Sequence, residues 1–222
     1  MKQLIKKVAN ALGYEIRRQG VYPRHDPFSQ QKALLKGVTD PVIFDVGASV
    51  GSVTGLYRQL CPNATIHAFE PFLESFRTLK ATFASDRLIH AHQFGFAERV
   101  GSLSLNVNNV PDTNSLFPSD AAGSFFWGKT ITDTIQQVEV EISTVDAFCQ
   151  TNGIAHVDLL KIDTQGAEAR VLQGLEAMLR EKRISCVYLE IILVPTYGSA
   201  QEFVKVCNWR GFQNPRTSGF RG

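Results

Sequence analysis

Cysteine is scarce. The 222 residues hold four, at Cys61, Cys149, Cys186 and Cys207, and no two form a CxxC pair. That pattern reads as reduced, buried thiols. Long apolar runs are also missing, since no stretch approaches the roughly 18 residues that a membrane span needs. The N-terminal MKQLIKKVANALGYEIRR lacks an uninterrupted apolar core and a small-residue cleavage site. It reads as a poor secretory signal, and a cytoplasmic location is the expectation. There is no internal repeat and no low-complexity tract. A strong charge of one sign is absent as well, the net charge being +2. That small charge is uneven: residues 1–40 sum to +5, residues 209–222 to +3, and the middle to −6. The basic first segment reads as a solvated helix face, with an anionic partner as the alternative.

What is present suits one α/β domain. The apolar fraction is 44% and the charged fraction 20%, near the globular average. Leu4, Ile5, Val8, Leu12 and Ile16 recur at helical spacing over residues 2–18. Packing of that stripe on protein is expected, and contact with a membrane surface through residues 1–18 is the alternative. A short helix is predicted over Ser29–Lys36. We therefore divide the chain into an N-terminal helical extension, 1–40, and one domain, 41–222. Within the domain, strands are predicted at 42–46, 65–69, 88–93, 157–162 and 184–191. Helices are predicted at 51–61, 72–84, 144–152, 166–180 and 199–209. Two alternating segments, 102–107 and 138–143, read as half-exposed strands. Strands alternating with helices argue for a mostly parallel central sheet with helices on both faces. The stretch 108–137 is long for a connection in a compact domain, which marks it as a covering or binding loop.

Ligands of such sheets sit beyond the carboxyl ends of the strands. The first strand ends in Asp45-Val46-Gly47-Ala48-Ser49-Val50-Gly51. This is not GxGxxG, and an acid precedes the first glycine by two. Asp45 would repel a pyrophosphate and suits a ligand with a positive amino group. S-adenosylmethionine (SAM) has an ammonium and a sulfonium and no phosphate. The helix opening at Gly51 offers free N–H groups to a carboxylate. The second strand ends in Phe69-Glu70-Pro71. Glu70 follows Gly51 by 19 residues, about where a ribose-binding acid is expected. After the third strand, Phe96 and Glu98 are placed against an adenine ring and its amino group. The fourth strand leads into Lys161-Ile162-Asp163-Thr164-Gln165-Gly166-Ala167-Glu168. Lys161 and Asp163 share a strand face, as an ion pair or with Asp163 as a base. Glu190, an acid in an apolar run, needs a partner, either the same pocket or Lys161.

Together, DVGASVG, FEP, AERVG and KIDTQGAEARVLQG, in this order, resemble the FkbM family of SAM-dependent methyltransferases. The usual pattern there is DVGANxG, FEP and KIDVEGxE, and the run DPFSQQKALL also looks like that family. The resemblance spans roughly residues 26–212. It implies a Rossmann-like class I methyltransferase fold and O-methylation of a sugar, glycan or natural-product hydroxyl. By that resemblance Asp45, Gly47 and Gly51 hold the methionine end of SAM and Glu70 the ribose. Glu98 stands near the adenine, and Asp163 and Glu168 near the transfer site. Ser49 in the glycine turn, Phe96 and Asp163 complete the expected cofactor contacts. Ser49 stands where the family usually has Asn, and Gln165 where it usually has Glu. After Gly211-Phe212 the family fold would complete a final β-hairpin. Here only a short tail ending NPRTSGFRG follows, so either that edge is reduced or the chain is cut short.

Methyl transfer asks the protein to place the acceptor and take its proton. Asp163 is the first candidate base and Glu190 the second. Asn114, Ser115 and Trp127, in the long stretch, and Glu168 are the candidate acceptor contacts. No metal set is assigned: His90 and His92 share a strand face but lack a third ligand, and a divalent ion through Asp163 stays open. His156 sits at the wrong end of its strand. A dehydrogenase is disfavoured by Asp45 and the missing middle glycine. A nucleic-acid substrate is disfavoured by the small charge and the lack of an N/D-PP-Y/F motif. A non-catalytic SAM-binding scaffold remains the alternative. The acceptor and the oligomeric state are not legible.

Overall fold

A computed structural model of the chain describes residues 26–121, 123–127, 130–192 and 196–198. The predicted helices at 2–18 and 199–209 and the tail after Phe212 lie outside the described residues. Two compact units divide the chain, Met1–Lys36 and Gly37–Gly222. In the first, helix α1 spans Pro27–Leu34. Pro27 starts it with a preset φ, and the Asp26 carboxylate accepts from the Ser29 N–H at 2.9 Å, satisfying one free donor of the first turn.

The second unit is built on five parallel strands. They are β1 (Val42–Val46), β2 (Thr65–Phe69) and β3 (Ile89–His92), followed much later by β7 (Leu159–Ile162) and β8 (Val187–Leu189). Their order is β3-β2-β1-β7-β8, and every pairing is parallel. From β1 the chain moves outward one way to β3 and then the other way to β8. Right-handed crossovers place the helices of the two halves on opposite faces. Helices α2 (Ser52–Leu60) and α3 (Leu73–Thr82) belong to the first half. Helices α5 (Val145–Thr151), α6 (Glu168–Gln173) and α7 (Glu176–Arg180) belong to the second. Strand alternation fits this. Phe44 and Val46 enter the main core with Phe148, Leu172 and Met178, while Ala68 packs with Leu79 on the other face. Each large apolar side chain fully buried there contributes roughly 1.5–3 kcal/mol.

The two alternating segments do not join the central sheet. They form β5 (Gly101–Asn108) and β6 (Thr134–Ser143), an antiparallel pair joined by the two-residue β4 (Gly95–Phe96) in a second sheet of order β4-β6-β5. Leu105, Val107, Val140 and Ile142 bury one face over Phe72. The predicted helix 166–180 is broken into α6 and α7. Gly174 lies where a Cβ would come 2.2 Å from the Ala97 carbonyl oxygen, so the chain bends to approach β4's neighbourhood. The Asp146 carboxylate then accepts from the Ala177 and Met178 N–H groups, both at 2.9 Å, and restarts the helix. The last strand is shorter than predicted, three residues, preceded by a lone Val157–Ile184 bridge.

Candidate active site

Strand order reverses between β1 and β7, and a cavity of about 340 Å³ opens there, beyond the carboxyl ends of the strands. Its wall includes Gly47, Ser49, Glu70, Phe96, Asp163 and Glu190. Pro111, Asp112, Asn114 and Leu116 of the β5–β6 connection line it from the other side.

Gly47 and Gly51 serve protein contacts. Gly47 has φ +74°, and a Cβ on it would come 1.8 Å from the Asp163 carbonyl oxygen. Only glycine lets the ends of β1 and β7 approach so closely. Gly51, φ +93°, caps α2, and its missing side chain leaves room for Leu79 and Phe83. Ser49 lies between them in the left-handed region, φ +48°. Its N–H donates to Glu70 Oε2 at 2.9 Å and its hydroxyl to Asp112 Oδ1 at 2.7 Å. Asp45 lies below the cavity and is not part of its lining. It is fully buried, accepts the Thr54 hydroxyl at 2.6 Å and meets Lys161 Nζ at 3.0 Å. Asp45 and Lys161 are direct neighbours in the β1–β7 register. Burial pulls the Lys161 pKa down, but the carboxylates of Asp45 and Asp163 outweigh it and the net shift is upward. The ammonium also donates to the Gly47 carbonyl at 2.9 Å.

Glu70, 8% exposed, closes β2. Its two oxygens accept from the Ser49 and Phe72 N–H groups, each at 2.9 Å. Burial pushes its pKa up to about 7, although both N–H bonds and the Lys161 charge pull the other way. Phe96 forms apolar wall beside it and contacts Phe69 at a 4.5 Å ring separation.

Asp163 follows β7 and is half-buried. Lys161 Nζ lies 3.6 Å from its Oδ2, and the Gln165 amide donates to its Oδ1 at 2.8 Å. Glu190 leaves β8 toward the same cavity. Burial raises its pKa, the Asp163 charge adds to that, and Lys161 tempers it. Glu168, 4% exposed, is turned inward. One oxygen accepts from the Thr164 N–H, the Thr164 hydroxyl and the Gly166 N–H, closing the β7–α6 turn.

The β5–β6 connection is structured. Its first part is a 3₁₀ turn at Pro111–Thr113, and Ser115 pairs with Asn106 through two backbone bonds. The Ser115 hydroxyl donates to the Gln165 carbonyl at 2.6 Å, and the Tyr197 hydroxyl to the Thr113 carbonyl at 2.8 Å. Asn114 lines the cavity, while its side-chain oxygen accepts the Asn108 N–H at 2.8 Å. Further on is helix α4 (Gly123–Trp127), where Trp127, 49% exposed, donates its indole N–H to the Thr196 hydroxyl at 2.7 Å.

The structure thus brings Gly47, Ser49, Glu70, Phe96, Asp163, Glu190 and Asn114 to one cavity. Asp45, Gly51, Ser115, Trp127 and Glu168 stand outside its lining, as does Glu98. Glu98 forms a bidentate pair with Arg170 at 2.7 and 2.8 Å, which holds its carboxyl well below the usual range, at about 2. The sequence pairs Lys161 with Asp163 or Glu190, and the structure adds Asp45 as its nearest carboxylate, at 3.0 Å. An acid and a lysine, each inside an apolar strand, already signal a mutual partner. Nothing comparable in the sequence marks Tyr197. His67 Nδ1 lies 3.1 Å from His92 Nε2, and burial lowers both pKa values, to about 3 and about 4, so the pair is neutral. Among the described residues, no group of three or more His, Cys, Asp or Glu is placed to hold a metal ion. Nor is any helix among them long and apolar enough to cross a membrane.

The family model for the methyltransferase FkbM domain matches residues 45–214. The chain belongs to the FkbM methyltransferase family. Among its relatives, the 2-O-methyltransferase NoeI of Sinorhizobium fredii is 27% identical over 157 residues, covering 68% of this chain and 63% of that one. The 31-O-demethyl-FK506 methyltransferase FkbM of Streptomyces tacrolimicus is 28% identical, covering 61% and 59%. Methyltransferase 1 of Beauveria bassiana is 29% identical, covering 62% and 59%. This FkbM-family chain spans about three fifths of the length of these curated relatives. A solved precorrin-6y C5,15-methyltransferase from Geobacter metallireducens is 12% identical, with a TM-score of 0.38, over 78% of this chain and 66% of that one.

Proposed function

We propose that this chain is a SAM-dependent O-methyltransferase acting on a hydroxyl of a sugar, glycan or natural product. The observation that carries the proposal is Glu70: a buried carboxylate, held by two N–H groups, on the wall of a cavity at the switch point. Its lone pairs suit the paired hydroxyls of a ribose. Carboxylates dominate the cavity's charged groups, and its one lysine is committed to Asp45. That balance favours a cationic cofactor such as SAM and disfavours a dinucleotide's pyrophosphate. Gly47 and Ser49 supply the turn beside Glu70, and Phe96 an apolar surface for an adenine. SAM supplies a methyl group activated by its sulfonium. The chain's own groups position the acceptor and take its proton, with Asp163 as the base and Glu190 as the second carboxylate. Two of the relatives carry names that specify methylation of oxygen, which supports the same bond here.

The test is calorimetric titration with SAM, with NAD as control and Glu70→Ala as the variant. Saturable SAM binding that the variant loses is the expected result. Transfer of a labelled methyl group to a panel of glycans and hydroxylated small molecules then finds the acceptor class. Folded protein that binds no SAM overturns the proposal. SAM binding without transfer to any hydroxyl leaves a SAM-binding scaffold.

A further inference from the structure

Gln165 sits at φ +52° in the β7–α6 turn, between the cavity's acid and the segment that covers the cavity. Its side chain has two different partners. The amide nitrogen donates to Asp163 Oδ1 at 2.8 Å, and the amide oxygen lies 3.3 Å from the Tyr197 hydroxyl. An amide end can donate to a carboxylate through its nitrogen and accept from a phenol through its oxygen at once, which a carboxylate in its place could not. The orientation follows from the partners, because a charged Asp163 can only accept. Tyr197 has a single proton, shared between Gln165 Oε1 and the Thr113 carbonyl at 2.8 Å. The backbone adds a second link, the Ser115 hydroxyl donating to the Gln165 carbonyl at 2.6 Å. Thr113 and Ser115 flank Asn114, which lines the cavity. One residue therefore grips Asp163 with its side chain and the covering segment with both side chain and backbone.

We propose that Gln165 is a positioning residue that ties the seating of the covering segment, residues 109–121, to the orientation of the Asp163 carboxylate. It rests on the reading of Asp163 as the group facing the acceptor. With the segment seated, Tyr197 and Ser115 hold Gln165, and Gln165 holds Asp163 with one oxygen occupied. The charged groups around Asp163 are Lys161 at 3.6 Å from below and Glu190 from the neighbouring strand end; Glu168 is turned into its own turn. With the neutral amide, Asp163 faces one cation and one acid. A carboxylate in place of the amide would put two acids at hydrogen-bonding distance, where they share a proton.

The test needs no ligand. Carboxyl-carbon NMR at one fixed pH reads the Asp163 resonance in the full chain for wild type, Gln165→Glu and Tyr197→Phe, with amide hydrogen exchange over residues 109–121 and a thermal melt for each. In Gln165→Glu the Asp163 carboxyl resonance should shift, because the amide donor on its Oδ1 is gone. In Tyr197→Phe exchange in the segment should quicken by roughly tenfold, the worth of about one hydrogen bond. The Asp163 resonance should move in that variant too, although Tyr197 makes no hydrogen bond to Asp163. Variants that melt like wild type yet leave the Asp163 resonance in place overturn the proposal. So does an unchanged exchange rate in Tyr197→Phe. Either outcome is independent of whether the wild type binds SAM.

Discussion

Glu70 is a buried carboxyl group on the wall of the cavity. Burial places its pKa at about 7, above the ordinary value of 4.5. The sign has two consequences. Folding takes up a proton at Glu70, so its contribution to stability is fullest below the unfolded pKa and is lost as pH rises through about 7. On the proposed reading, ribose binding would run the other way, since only the ionised carboxylate accepts from both hydroxyls. SAM affinity should therefore rise as pH increases from 6 to 8 and level off above it, and Glu70→Gln should flatten that profile. Calorimetric titrations at four pH values check this. Glu70 was legible from its 19-residue distance to Gly51. Its raised pKa was not, because burial is set by how the assembled sheet and the segments around the cavity enclose the carboxyl, not by local spacing.

At the scale of elements, short-range pattern decided most of what forms. Strands β1 and β2 occupy the predicted residues, since runs of β-branched and aromatic residues bounded by proline and glycine leave little choice. Where an element depends on a remote partner, the pattern misled. A single helix over 166–180 fits the apolar spacing, yet Gly174 must pass close to Ala97, and Asp146 from α5 caps the second piece. Asp146→Ala should cost about 1–2 kcal/mol, the usual worth of a lost charged cap, and raise hydrogen exchange in α7 first. Urea melts together with exchange mapping measure both. An unchanged α7 would mean that Met178 packing alone fixes this helix.

At the scale of the molecule, the two halves of the sheet meet at β1 and β7, and Asp45–Lys161 bonds them internally. Both side chains are at most 2% exposed. Removing one partner leaves a buried charge alone, so Lys161→Met should cost about 3–5 kcal/mol. The double variant Asp45→Asn/Lys161→Met should lose less than the sum of the singles, because neither charge is then stranded. A double-mutant cycle by chemical denaturation reads this directly, and strict additivity would remove the pair from the account of the fold. The same pair explains why Asp45, the acid that opens the motif, stands beneath the cavity. It holds the cavity floor by fixing Lys161 against the Gly47 carbonyl.

The parallel α/β class, the two-glycine turn, the position of Glu70 and Asp163 at strand ends, and the family were all legible in the residues alone. Each follows from local spacing, which folding preserves. Which charged groups line the cavity and which face each other was settled by tertiary packing. Asp45 against Lys161, Glu98 against Arg170 and Glu168 against its own turn are pairings across 116, 72 and 4 positions or fewer. Two of the three join residues far apart in the chain, and the third is set by the way the turn closes. A carboxylate's partner depends on what packs beside it, and that is known only when the sheet has been assembled.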